Sequence, residues 1–201
     1  MTTRHYILTG LCLAFASAGP LAAQGDRAEL YGGYVYTKAN PDPPLAKENM
    51  SGWVGSVTGY AFPWFGVGGE ISAVFGDLNS ATGGPAPHAK EYSYLFGPQF
   101  RFVDQARIQS SVKILLGGVF GQINLNSATT PAQQQALLAA GYQGYSQTKF
   151  AMLIAVPVDV SVSRLLAIRF EPGLYVTDFN QSKQSNFRFS VGPVFRFGGG
   201  K

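Results

Sequence analysis

The side chains best suited to nucleophilic, acid–base or soft-metal chemistry are scarce in this 201-residue chain, which holds one cysteine, Cys12, and two histidines. His88 stands among Gly83, Gly84, Pro85 and Pro87, a turn-rich setting with no second histidine beside it to share a metal. A serine nucleophile needs a histidine base within reach, and none of the strand-like segments carries one. Arg169, Glu171 and the nearby Asp159 have the spacing closest to an acid–base constellation. Charges two residues apart on one face of a strand also serve to neutralise one another, and that accounts for all three. The glycines at 66, 68 and 69 precede no helical pattern, so they make no phosphate loop. The expectation is no catalytic site, no cofactor site and no metal site.

The elements that hold these charges show a period of two. From Phe187 to Phe197 the odd positions are Phe, Phe, Val, Pro, Phe and Phe, while the even positions include Arg188, Ser190 and Arg196. Successive side chains of a strand face opposite ways, so one face is wholly apolar and the other polar. Eight such segments follow one another, at about 27–38, 51–62, 65–76, 91–102, 107–121, 149–162, 167–178 and 187–197. Their lengths fit the roughly 9–11 residues of a tilted transmembrane strand. Short connections at 63–64, 103–106 and 163–166 alternate with longer ones at 39–50, 77–90, 122–148 and 179–186, rich in Pro, Gly, Asn, Ser and Gln. That alternation is the pattern of short turns on one side of a membrane and long loops on the other. Phe96–Phe102 and Val191–Phe197 share an x-Gly-Pro-x-Phe-Arg-Phe pattern four strands apart, which sets both in the same direction. The expected fold is all-β, an eight-stranded antiparallel up-and-down transmembrane β-barrel.

Composition agrees with that reading. Charged residues make up 13% of the chain, against about 25% in a soluble domain. Residues 1–23 combine Arg4, an apolar run from Tyr6 to Ala18 and a small-residue exit at Leu21-Ala22-Ala23, the plan of a cleaved signal peptide. Its apolar run is shorter than the roughly 20 residues of a spanning helix. Cleavage removes Cys12 and leaves residues 24–201 as one barrel domain without thiols, which excludes disulfides. No basic cluster with interleaved aromatics marks a nucleic-acid surface.

The opening Glu29-Leu30-Tyr31-Gly32-Gly33-Tyr34-Val35-Tyr36, the segment beginning Gly52-Trp53-Val54, and the ending Asn186–Phe197 resemble the OmpA-type outer-membrane β-barrel domain. The resemblance covers nearly the whole of residues 24–201 and implies location in the outer membrane, lipopolysaccharide as lipid partner and assembly by the barrel-insertion machinery. The family often ends in an aromatic residue read by that machinery, a role that would fall on Phe197, although Gly198-Gly199-Gly200-Lys201 follow it here. No peptidoglycan-binding domain follows the barrel, as it does in larger members.

Within such a barrel, Glu29, Glu70, Glu91, Arg101, Lys113, Asp159, Arg169, Glu171, Arg188 and Arg196 share the inward face. An eight-stranded barrel is just wide enough for its own side chains, so the set reads as a paired interior filling. Tyr36, Trp53, Tyr92 and Phe150 lie toward the long connections. Phe62, Trp64, Phe65, Phe102, Phe195 and Phe197 lie toward the short turns. They form two interfacial girdles. Thr130, Pro131 and a run to Ala140 closed by Gly141 carry the start and stop signals of a short helix, whose Leu137 and Leu138 would cover the barrel mouth. Prolines at 98, 157, 172 and 193 each delete a ladder donor, and bulges are expected at Gly97-Pro98 and Gly192-Pro193.

The expected function is structural or surface-interactive: a monomer without catalysis, presenting its loops to an extracellular ligand. Three alternatives remain: a narrow channel for small solutes, a secreted lipocalin-like barrel with its apolar face turned inward around a ligand, and an enzyme acting on lipid A.

Overall fold

The computed structural model describes residues 27–39, 48–77, 88–105, 107–124, 131–132, 135, 146–179 and 182–198. Residues 1–23, where a signal peptide is expected, Cys12 among them, most of the expected helix and the tail from Gly199 lie outside the described residues; Pro131, Ala132 and Gln135 are helical and exposed.

Strands run β1 Ala28–Ala39, β2 Glu48–Phe62, β3 Phe65–Asp77, β4 His88–Asp104, β5 Ile108–Asn124, β6 Ser146–Ala155, β7 Val158–Ser161, β8 Leu166–Phe179 and β9 Ser182–Phe197. Each pairs antiparallel with its chain neighbour, and β1 pairs with both β2 and β9, so the sheet closes on itself. β6 and β7 are one stave. The register with β5 is unchanged from Lys113 opposite Ala155 to Ser110 opposite Val158, although Val156-Pro157 removes rungs between them. The result is a closed eight-stranded antiparallel β-barrel, a form that leaves no strand edge for aggregation.

The short turns are where the sequence places them. Pro63-Trp64 forms a two-residue turn, with the Trp64 carbonyl accepting from the Arg101 amide at 2.8 Å. At the β7–β8 turn the Ser163 Oγ accepts from the amides of Leu165 (3.3 Å) and Leu166 (3.1 Å), a side-chain substitute for backbone pairing. The connection expected at 179–186 is shorter. Pairing continues to Phe179 opposite Ser182, and only residues 180–181 separate the strands. Polar residues such as Gln184 and Ser185 read as loop because hydropathic alternation fades there, yet their backbone pairing continues.

The bulges expected at Gly97-Pro98 and Gly192-Pro193 are absent. Val67 faces Pro98 and Ile168 faces Pro193 in unbroken register. On the other side of each Gly-Pro step two rungs are skipped without a slip, from Phe96 opposite Leu116 to Gln99 opposite Lys113, and from Tyr31 opposite Val194 to Tyr34 opposite Val191. The glycine explains how. A side chain at Gly97 would run into the Ile114 carbonyl, and one at Gly192 into the Gly32 carbonyl, so the strands close up where proline withholds its N–H. Register shifts occur elsewhere, between Tyr60 and Phe62 and between Arg101 and Val103, near the short turns.

This close approach predicts a contrast measurable by denaturant unfolding of the refolded barrel. Gly97→Ala should cost about 1–3 kcal/mol through overpacking. Gly59→Ala, whose side chain would meet nothing within 4 Å, should stay within about 0.5 kcal/mol of the parent.

Candidate functional site

Alternation puts one face of every stave in the lumen, and there the charges meet in two layers. The layer near the short turns is a chain of five groups. Glu29 on β1 accepts from Arg101 of β4 at 2.8 Å and from Arg169 of β8 at 2.7 Å. Arg169 also grips Asp159 of β7 at 2.7 and 2.9 Å, and Asp159 takes a third guanidinium, Arg196 of β9, at 3.0 Å. Arg196 donates as well to the Ser161 hydroxyl at 2.9 Å. Tyrosine rings cover two of these cations, with Arg101 4.1 Å above Tyr60 and Arg169 5.2 Å from Tyr31. All five charged side chains are buried.

The second layer lies further from the turns. Lys113 of β5 bridges Glu70 of β3 at 2.5 Å and Glu171 of β8 at 2.7 Å, and Glu70 also pairs with Arg188 of β9 at 2.7 Å. Within these ion pairs two cations face two anions. Neutral hydrogen bonds fill the space around both layers. Gln99 donates to Tyr60 and to Ser111 and accepts from Thr58, while Tyr31 donates to Ser190 at 2.8 Å. Among the described residues no cluster of His, Cys, Asp and Glu is arranged to hold a metal.

Toward the long connections the lumen changes character. Val35, Met50, Val54 and Val74 form one buried apolar group, and Leu95, Leu115, Val119, Leu153 and Tyr175 another. Reading the charged positions alone misses this apolar half and the tyrosine lids. Both were accessible to the same parity: Tyr31 and Val35 share the odd positions of Glu29, and Leu95 those of Arg101.

The structure thus brings Glu29, Arg101, Asp159, Arg169 and Arg196 into one cluster and Glu70, Lys113, Glu171 and Arg188 into another; Glu91, half-buried on β4, is outside these ion pairs but within electrostatic reach of Arg188. The outer wall is apolar. Trp53, Trp64, Tyr92, Phe150, Phe195 and Phe197 point outward and are exposed, with Tyr36 and Phe65 partly so. Phe62, Trp64, Phe65 and Phe100 make one aromatic cluster at the short-turn end, Trp64 stacking on Phe62 at 5.9 Å and on Phe100 at 6.3 Å. Aromatics are not confined to the ends: Tyr94, Phe96 and Phe170 stand exposed between them. Outward charges mark the limits of the apolar zone, with Lys38 and Asp178 at the long-connection end and Asp104, Arg107 and Arg164 at the turns.

A closed barrel of eight staves, polar inside and apolar outside, is the fold of small outer-membrane barrels. Ail, the attachment invasion locus protein of Yersinia pestis, shares it with a TM-score of 0.57 and 16% identity, over 86% of this chain and 99% of Ail. Neisserial surface protein A matches with a TM-score of 0.62 and 11% identity over 85% of this chain and 97% of its own. OprG of Pseudomonas aeruginosa matches with a TM-score of 0.57 and 9% identity, over 87% and 97% respectively. No family model and no curated protein matches the sequence.

Because Glu29 serves two buried arginines, Glu29→Gln should cost about 3–5 kcal/mol, the scale of stranding a buried charge. A double-mutant cycle of Glu29→Gln with Arg169→Gln, read by denaturant unfolding, should show strong coupling; additive effects would contradict the shared pairing.

Proposed function

We propose that this chain is an OmpA-type barrel of the outer membrane, exported through a signal peptide at residues 1–23, and that it acts as a sealed scaffold presenting its long connections to an extracellular ligand. One observation carries the reading: the apolar face looks outward all round the ring while the charges are buried. Leu30 on β1, Ile71 on β3, Leu116 on β5, Leu174 on β8 and Phe195 on β9 are all exposed in the absence of lipid. Such a continuous apolar surface far exceeds the patches a soluble monomer tolerates. A lipocalin-like calyx requires the two faces to be exchanged, with the charges outside.

Sealing the lumen favours a scaffold over a channel. The charge layers are tied across the ring, and apolar side chains fill the half nearer the long connections. Lipopolysaccharide would surround the outer half of the wall and the barrel-insertion machinery would assemble it as a monomer. A non-catalytic surface role also draws support from Ail, an attachment and invasion protein whose structure includes a complex with the heparin analogue sucrose octasulfate.

Expressed as the full chain, the protein should fractionate with the outer membrane and migrate differently on a detergent gel before and after heating. Recovery as a soluble periplasmic protein would defeat the reading. In refolded vesicles Leu116→Arg should cost about 2–4 kcal/mol, the penalty of a charge on the lipid face near mid-membrane. Planar-bilayer recordings should show no steady conductance steps.

A further inference from the structure

Closure of the ring depends on pairing β1 with β9, two strands from opposite ends of the chain, and that seam is interrupted. Backbone rungs run from Ala28 opposite Phe197 to Tyr31 opposite Val194 and resume at Tyr34 opposite Val191, so Gly32-Gly33 faces Gly192-Pro193 without them. The same two-rung interruption lies between β4 and β5, from Phe96 opposite Leu116 to Gln99 opposite Lys113. There the short turn between Asp104 and Ile108 keeps the two strands together at small entropic cost. Leu115, in one buried apolar group with Leu95, fills the lumen side of that gap. The closing seam has no such turn, since Tyr31 and Ser190, on either side of its gap, are 159 positions apart in the chain.

A side-chain hydrogen bond spans the interruption. Tyr31 stands on the last rung on the turn side of the gap, and Ser190, in register with Val35, stands on the second rung beyond it. The Tyr31 hydroxyl donates to the Ser190 Oγ at 2.8 Å, and both residues are 1% exposed. The phenol gets there by lying over Gly33, where a side chain would come within 2.8 Å of the Tyr31 hydroxyl and would also run into the Val191 carbonyl. In this dry position the bond offsets part of the pairing that the backbone forgoes, and leaving either hydroxyl without a partner is costly. The Tyr31 ring makes a separate contact with Arg169, 5.2 Å from its centre, which does not involve the hydroxyl.

We propose that Tyr31 and Ser190, with the room made by Gly33, form a latch on the closing seam: it holds β1 against β9 where the backbone does not, and its release lets this seam open ahead of the rest of the ring. The inference rests on the closed ring and not on the outer-membrane reading, so either can fail without the other.

The test uses the full barrel refolded in micelles of an uncharged detergent, with hydrogen exchange of individual backbone amides followed by NMR. In Tyr31→Phe, which keeps the ring and its contact with Arg169, the amides that pair across the β1–β9 seam beside the gap should exchange about tenfold faster, the scale of one buried hydrogen bond whose partner is left unpaired. Ser190→Ala removes the same bond from the other strand and should act likewise, so the result does not depend on one variant. The double variant should exceed either single one by less than about twofold, as expected of two groups that share one interaction. Amides beside the β4–β5 gap should stay within about twofold of the parent, which separates a latch from a general loss of stability. A seam rate that rises less than about threefold in both single variants, equal acceleration at the two gaps, or single effects that multiply in the double variant would overturn the assignment.

Discussion

Compensation of buried charge inside a closed ring is the constraint on which the rest of this structure depends. Eight staves leave a lumen only as wide as the side chains that fill it, so every inward ion must find its partner there or remain uncompensated. Partners are taken across the lumen as well as along the sheet. In register Glu29 faces Arg196, yet its carboxylate goes to Arg101 three staves away and to Arg169 two staves away. Glu70 on β3 likewise meets Arg188 on β9. Apart from Asp159 and Arg169, which face each other in register, the ion pairs named above therefore join staves that share no backbone rung, with β2 drawn in through Tyr60 and Thr58. Taking ions out of water consumes most of what their attraction returns, so the network adds little net stability over an apolar filling. Its effect is on specificity, because a stave slipped by one residue would turn its charges into lipid and its phenylalanines into the lumen.

Two devices let the wall follow that interior. The Gly-Pro steps at 97–98 and 192–193 narrow the sheet locally without inserting a residue, since the carbonyls of Ile114 and Gly32 occupy the space a side chain would need. Each step belongs to a strand that carries an arginine of the turn-end layer, Arg101 four residues after Gly97 and Arg196 four residues after Gly192. The repeated motif thus couples a close backbone approach to a buried cation in two staves on opposite sides of the ring.

Period-two alternation made most of this legible from the amino-acid sequence: strand number, the inward charge set and the apolar outer face all follow from parity. What parity cannot supply is the partner of each charge, because cross-lumen pairing depends on tilt and stagger, which are properties of the closed ring. Strand ends were blurred for a different reason. Beyond the apolar zone both faces are polar, so hydropathy goes silent while hydrogen bonding continues, as between Gln184 and Thr177. The proline bulges were misjudged because a missing donor was equated with an inserted residue, whereas a neighbouring glycine absorbs the deficit.

The division of labour within the lumen bears on function. The largest ion-pair chain and two of its tyrosine lids occupy the turn end, while Met50, Val54 and Val74 crowd the other half, where Glu91 stands in register with Val74 and Lys149 with Val119. The interlocked charge layers oppose hydrated ions, because passage would have to break their ion pairs. The same filling ties the staves to one another independently of the long connections. With register and closure secured by side chains between the staves, those connections can change length and composition at small thermodynamic cost. A barrel built this way can keep its wall constant while its exposed surface varies, which is what a scaffold for surface contacts requires and what a pore, whose selectivity resides in its lumen, does not.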